Sequence, residues 1–111
     1  MKIIDRKNFL KMKAGTVYSK YEPCVFHGLY VKADEPGNYK DDWLYDDLIG
    51  AINADSSEDF TDKCEAMERG ESVKMDFEQT GRDGLFDNNQ LYAIYETDDI
   101  KELINRLSKS L

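Results

Sequence analysis

Several features that would assign a protein class are scarce in this chain. It has 2 cysteines, Cys24 and Cys64, and they form no CxxC pair, which is unlike a disulfide-rich secreted scaffold. We expect both to be reduced and buried as small apolar residues. Apolar runs are only a few residues long, far below the ~20 that a membrane span needs, and no apolar segment follows Lys2 to form a signal peptide. The sequence therefore predicts a cytoplasmic protein.

Residues for catalysis or metal binding are equally scarce. The only histidine is His27, and Cys24 lies three residues before it, on the opposite face of a regular strand, which does not suit a Cys–His nucleophile pair. A zinc site from these two residues and Cys64 lacks a fourth ligand and paired spacing. The carboxylate pairs at 41–42 and 46–47 match no known calcium or magnesium loop. We expect a non-enzymatic protein without metal or cofactor, in which His27 is a surface or half-buried strand residue.

What is present fits one small globular domain spanning residues 1–111. Hydrophobic residues make up 41% and charged residues 34% of the 111 residues, a composition that can bury a single core. The formal net charge of −8 weighs against direct binding of nucleic acid or an anionic membrane, since both need a basic surface.

Charge is distributed very unevenly along the chain. Residues 34–62 contain ten acids against one base, a formal −9, while residues 1–33 contain seven bases against two acids, a formal +5. Blocks of unlike charge often mark surfaces that meet a partner, because the summed field steers encounter. This asymmetry is the strongest functional signal in the sequence.

Hydrophobic periodicity and turn residues predict an α+β domain, with helices packed on one face of a mainly antiparallel sheet. Residues 42–53 suit either a strand interrupted at Gly50 or one helical turn and then a strand; we favour a strand at 45–52. Asp5 is expected to cap the first helix, and Gly28 to mark a bulge. The predicted elements are a helix at 6–12, strands at 16–21 and 24–32, a turn at 35–38, a helix at 56–69, a strand at 73–77, a loop at 80–89, a strand at 91–96 and a C-terminal helix.

The C-terminal helix has the clearest pattern. Apolar residues recur at positions 100, 103, 104, 107 and 111, which predicts one continuous stripe. Thr97 or Asp98 is expected to cap the helix, and Glu102 and Arg106 to form an i,i+4 pair. A stripe ending at Leu111 would leave apolar surface uncovered, and two-fold pairing is the commonest way to bury it, so we expect a homodimer.

The loop at 80–89 carries a candidate ligand site. Two glycines allow close backbone approach, Arg82 offers a bidentate fork for a carboxylate or phosphate, and Phe86 could stack on a base. With Tyr92 or Tyr95 nearby, these residues would form a small-ligand site, for example in a protein that sequesters a nucleotide signal. The structural alternative is a long connection in which Arg82 pairs with Asp83 or Asp87 and Phe86 fills the core.

The acidic segment is the leading candidate for partner binding. Its carboxylates alternate with aromatic residues, and aromatic residues supply binding energy while acids complement a basic partner. A purely solubilising loop is the alternative. The candidate partner-binding residues are Asp34, Glu35, Asp41, Asp42, Trp43, Tyr45, Asp46 and Asp47.

Two segments, AGTVYSKYEPCVF (14–26) and GRDGLFDNNQLYAIYE (81–96), together with the amphipathic C-terminal helix, resemble small uncharacterised proteins of bacteriophage genomes. Acidic phage proteins of this size are often accessory factors, including inhibitors of host defence such as anti-CRISPR proteins, and several imitate the charge of nucleic acid. The resemblance implies an inhibitor in the host cytoplasm that occludes a basic, nucleic-acid-binding host protein. It assigns no role to any single residue.

Overall fold

The computed structural model describes residues 1–33, 40–78 and 80–111. In the described residues a six-stranded antiparallel sheet is accompanied by three helices, which confirms the predicted α+β class. The predicted turn at 35–38 lies outside the described residues. The elements in chain order are β1 (Lys2–Asp5), α1 (Arg6–Leu10), β2 (Val17–Glu22), β3 (Val25–Lys32), β4 (Leu44–Asp47), α2 (Ser57–Glu68), β5 (Thr80–Arg82), β6 (Leu91–Tyr95) and α3 (Thr97–Ser108).

The strands lie in the order β1-β6-β2-β3-β4-β5, and every neighbouring pair is antiparallel. The predicted bulge is confirmed, because the β2–β3 register shifts between Tyr18 and Lys20. Gly28 on the opposite strand has φ +71, and a Cβ there would lie 2.4 Å from the Tyr30 ring. Glycine is therefore needed at this point, both for its backbone angle and for the space it leaves to the tyrosine.

The sequence-based boundaries are wrong at four places. Residues 2–5 form β1, which was not predicted, and 80–82 form β5 inside a predicted loop. The strand expected at 45–52 is limited to β4. The strand expected at 73–77 is reduced to one bridge, in which Met75 faces Ile52. All are short segments whose strand geometry depends on pairing with distant residues, which local pattern does not reveal.

Helix α1 begins as expected, with the carboxylate of Asp5 accepting a hydrogen bond from the Asn8 N–H at 2.9 Å. The other end of α1 is closed by Lys32. This buried side chain donates from Nζ to the carbonyl oxygens of Phe9, Leu10 and Met12, at 3.4, 3.3 and 2.6 Å. A cation near a helix C-terminus is stabilising, since the last carbonyls carry the negative end of the dipole. Both ends of this short helix are thus satisfied by side chains.

The core is aromatic. Phe9, Tyr18, Trp43, Tyr92 and Ile94 form one buried cluster. The Trp43 indole N–H donates to the Tyr18 hydroxyl at 2.9 Å, and burial raises the pKa of Tyr18 above its ordinary range, so the hydroxyl stays neutral. Because a buried polar group without a partner is costly, this bond fixes the mutual position of the two rings.

Helices α2 and α3 bury none of their residues, unlike α1. On α2 the apolar residues Phe60 and Met67 are exposed, and Cys64 is half-buried. The predicted cap of α3 is also shifted by one residue. Glu96 occupies the cap position, and its N–H donates to Asp99 Oδ2 at 2.8 Å.

Within residues 1–33, 40–78 and 80–111, no helix combines the length and apolar content that crossing a membrane requires.

We predict that Tyr18→Phe lowers the free energy of unfolding by about 1–3 kcal/mol, because it leaves the Trp43 indole N–H buried without an acceptor. Chemical denaturation at neutral pH measures this loss. Tyr30→Phe is the matched control, since Tyr30 packs on the same cluster and its hydroxyl makes no hydrogen bond to the described residues. Equal stability of the two variants would contradict the structural role of the Tyr18 hydroxyl.

Candidate partner-binding surface

Asp42, a predicted partner-binding residue, lies inside the fold with 1% of its surface exposed. Its Oδ2 is 2.5 Å from Arg82 Nε, and its Oδ1 accepts from the Gly84 N–H at 3.0 Å. Burial alone would raise the pKa of this carboxyl, but the hydrogen bonds from Gly84 and Arg82 outweigh it and lower the pKa. Asp42 is therefore a charged clamp between β4 and the 80–89 loop, with no carboxylate surface left for a partner.

The two predicted aromatic anchors also belong to the fold. Trp43 is fully buried, with its ring 4.7 Å from that of Phe9. Tyr45 is half-buried and packs edge-on against Tyr30 at 5.2 Å. The ring of Tyr45 also covers Gly81, where a Cβ would lie 3.0 Å from the tyrosine Cζ. Trp43 therefore has no surface left for a partner, and Tyr45 keeps only part of its surface exposed.

The remaining carboxylates of this segment point in different directions. Asp46 and Asp47 are neighbours on β4, so their side chains lie on opposite faces of the sheet. Asp46 accepts from the Thr80 hydroxyl at 3.1 Å, while Asp47 caps its own turn by accepting from the N–H groups of residues 49 and 50, both at 2.9 Å. Asp41 is exposed, and its carbonyl accepts from Arg6. Asp34 and Glu35 lie outside the described residues, so the described carboxylates of the prediction form no single patch.

A continuous acidic surface exists instead on α2. The helix carries five acids against one base, Lys63, a net of −4. At 100° per residue, four of those acids share one side of the helix, and all four are exposed. We call this side the acidic face; it consists of Glu58, Asp62, Glu65 and Glu68.

Local contacts hold α2 in place at its start. The Ser56 hydroxyl accepts from the Asp59 N–H at 3.1 Å, as an N-cap should, and Asp59 pairs with Lys63 at 3.2 Å. The β-bridge between Ile52 and Met75 joins the stretch of backbone that leads to the helix with the stretch that leaves it. These contacts involve none of the four residues of the acidic face, which stay on the solvent side.

Charge spacing would have revealed the acidic face in the sequence. The acidic segment defined from the sequence ends at Asp62, so it omits Glu65 and Glu68, which belong to the same helix. Positions 58, 62 and 65 follow the i, i+4, i+7 spacing used for apolar stripes, here applied to charge.

The residues of the alternative ligand site are not brought together as an open pocket. Arg82 is bound to Asp42, so the expected pairing with Asp83 or Asp87 is wrong. Phe86 is 48% exposed rather than filling the core, and lies beside the Arg6 guanidinium at 5.6 Å. Tyr92 is 1% exposed and stacks on Phe9 at 4.3 Å. The tyrosine therefore has no face that a ligand could reach.

Asp83, an expected partner of Arg82, instead pairs with Lys20 at 3.0 Å, and its side chain is buried. His27 is an exposed strand residue, as expected, 3.7 Å from Glu22. Cys24 was expected to be buried but is exposed at the β2–β3 turn, where its φ is +68, and Cys64 is half-buried; both are free thiols. In the part of the chain that the structure describes, no three His, Cys, Asp or Glu side chains gather to hold a metal ion.

Comparison with family models, curated proteins and solved structures returned no match to this chain.

We predict that Asp42→Asn lowers the free energy of unfolding at pH 7 by about 2 kcal/mol, because hydrogen bonds to a charged acceptor are lost or weakened. The lowered pKa of Asp42 means that its contribution is present above the unfolded pKa and is lost as pH falls through the folded pKa. The stability curves of wild type and variant should therefore converge in acid, when denaturation is measured from pH 7 to below pH ~4.

The neighbouring, exposed Asp41→Asn serves as the control and should change stability by less than ~0.5 kcal/mol. A constant gap between wild type and Asp42→Asn at every pH would contradict the charged clamp.

Proposed function

We propose that this protein is a non-enzymatic binding protein that docks a basic partner through the acidic face of α2. The observation that carries the proposal is that Glu58, Asp62, Glu65 and Glu68 lie along one exposed side of a helix that buries none of its residues. The partner-binding surface proposed here is still acidic, but it lies on the helix that follows residues 34–47 rather than on those residues.

The arrangement of these acids costs α2 stability. Glu58 and Asp62 are four residues apart, and Asp62 and Glu65 three apart, and like charges at these spacings destabilise a helix by ~0.2–0.5 kcal/mol per pair. Glu65 and Glu68 also lie toward the C-terminal end, where the helix dipole disfavours acids, and no base occupies the last turn. The fold explains Glu58, which lies in the first turn where the helix dipole favours an acid. It does not explain Asp62, Glu65 or Glu68, which a basic partner would neutralise.

Long-range charge favours the same kind of partner. The chain carries a formal −8, so its field attracts basic proteins and repels nucleic acid and anionic membranes. Side chains that remain free for interchain contacts give electrostatic complementarity, which raises the association rate and discriminates between partners. A protein surface that itself binds nucleic acid is the most strongly basic target of this type.

The finer proposal follows the phage resemblance. A small acidic accessory protein of this kind would act in the host cytoplasm, as an anti-defence inhibitor of the anti-CRISPR type. It would cover the nucleic-acid-binding surface of a host protein by presenting α2 in place of a phosphate backbone. Inhibition would then require occupancy alone, without chemistry.

We predict that the triple variant Asp62→Lys, Glu65→Lys, Glu68→Lys retains less than about a tenth of the wild-type capture of basic host proteins, a loss equivalent to at least ~1.4 kcal/mol. Lysines near the C-terminal end of α2 agree with the helix dipole, so the variant should fold at least as well as wild type. Capture on immobilised protein from a bacterial lysate, followed by mass spectrometry, measures the change.

The control is Glu22→Lys, Glu71→Lys, Asp98→Lys, which changes net charge equally at exposed acids outside α2. It should retain capture, and wild-type capture should weaken with salt, because the Debye length is only ~3 Å at 1 M. An equal loss in both triple variants would show a response to net charge alone. Full capture by the α2 variant would refute docking through the acidic face.

A further inference from the structure

The side-chain contacts that hold helix α2 are local. Asp59 accepts from the Asp55 N–H at 3.0 Å and pairs with Lys63, whose Nζ also donates to the carbonyl oxygen of Asn53. These contacts lie within the helix or join it to residues 53 and 55, which belong to no strand of the sheet. The helix itself buries none of its residues.

The core of the sheet is built without this helix. The buried cluster around Phe9 takes no residue from the segment 48–78, all of which the structure describes. Strands β4 and β5 pair directly with each other, and the ion pair between Asp42 and Arg82 holds the two ends of the segment together. The sheet can therefore keep its packing and its register when α2 loses its helical hydrogen bonds.

Charge decides how stable α2 is by itself. A helix of 12 residues is marginal in water without packing. The Ser56 cap and the Asp59–Lys63 pair stabilise its first half, and the turn at Gly70 closes its end. Against these contacts stand three like-charge neighbours along the acidic face, at 58–62, 62–65 and 65–68, each three or four residues apart. Removing this repulsion would strengthen the helix without any new packing.

We propose that α2 opens independently of the sheet and that a basic partner closes it. Positive charge along the acidic face removes the repulsion only where the four acids are held side by side, so it favours the closed helix over the open one. The free energy of closing the helix is subtracted from the binding free energy, so partners with several positive charges are selected. Independent opening stands on α2 alone, whereas closure by a basic protein rests on the proposed function.

Amide hydrogen exchange of the full chain at neutral pH tests the independent opening. The amides of residues 61–68 should have protection factors at least ~100-fold below those of β2 and β6, because local opening exposes them without global unfolding. The neutralised variant Asp62→Asn, Glu65→Gln, Glu68→Gln should raise protection in α2 by ~5-fold, the effect of removing three like-charge pairs.

The matched control is Glu22→Gln, Asp98→Asn, Glu102→Gln, which removes the same charge at exposed acids outside α2. It should leave exchange in α2 unchanged. Amides of α2 that are as well protected as those of β2 and β6, or an equal response to both triple variants, would overturn the proposal.

Oligolysine is the probe for closure by positive charge. Added to wild type, it should raise protection in α2 by at least ~10-fold, against less than ~3-fold in the neutralised variant, and oligoglutamate of the same length should have no effect. Protection that oligolysine leaves unchanged would overturn closure by charge. If capture depends on the acidic face while α2 is as protected as the sheet, the proposed function stands and this inference fails. Closure by oligolysine without capture of any basic host protein would give the reverse result.

Discussion

The ring of Phe9 is fully buried against three other aromatic rings, with centroid distances of 4.6 Å to Tyr18, 4.7 Å to Trp43 and 4.3 Å to Tyr92. Tyr18 lies in β2, Tyr92 lies in β6, and Trp43 immediately precedes β4, so the Phe9 side chain joins the helix to both halves of the sheet. A helix of five residues is far too short to persist alone in water. Helix α1 is therefore stable because Phe9 packs into this aromatic cluster. In return, α1 supplies the ring that covers the other three rings on this face of the sheet.

Around this cluster, long basic side chains connect loops that share no backbone pairing. Arg6 lies 5.8 Å from the Trp43 ring and donates to Asn88 at 3.2 Å, Lys20 binds Asp83, and Arg82 binds Asp42. Each pair joins residues more than thirty positions apart in the sequence. The excess of bases in the first third of the chain is thus partly used inside the fold, where Arg6 and Lys20 face the loop at 83–88. The surplus of acids has no such use on α2.

The sequence alone predicted the elements whose pattern is local. The cap at Asp5, strands β2, β3 and β6, and helices α2 and α3 all follow from periodicity, turn residues and capping groups. Strand β5 contains a glycine and three residues only, so its pairing with β4 depends on contacts that no local pattern encodes.

The site was harder to predict than the fold. Asp42 and Trp43 match the acidic and aromatic pattern expected of an interface. In the fold, however, Asp42 binds an arginine forty positions away, and the Trp43 indole N–H donates to a tyrosine hydroxyl twenty-five positions away. Amphipathic spacing marked one side of α3 as apolar. It could not show whether the sheet or another molecule covers that side, because this depends on where the whole chain places each helix.

Strands β4 and β5 are adjacent and antiparallel, with Tyr45 opposite Gly81, so a tight two-residue turn could connect them. Instead the connection leaves the sheet, forms α2 and returns. The outgoing and returning stretches of backbone meet where the Asp76 N–H donates to the Ala51 carbonyl oxygen at 2.8 Å. Because the cost of closing a loop rises only slowly with its length, this segment can be lengthened, shortened or replaced while the sheet keeps its register. The sheet is thus a scaffold whose residues are constrained by packing, while the length of the β4–β5 connection is only weakly constrained by the sheet.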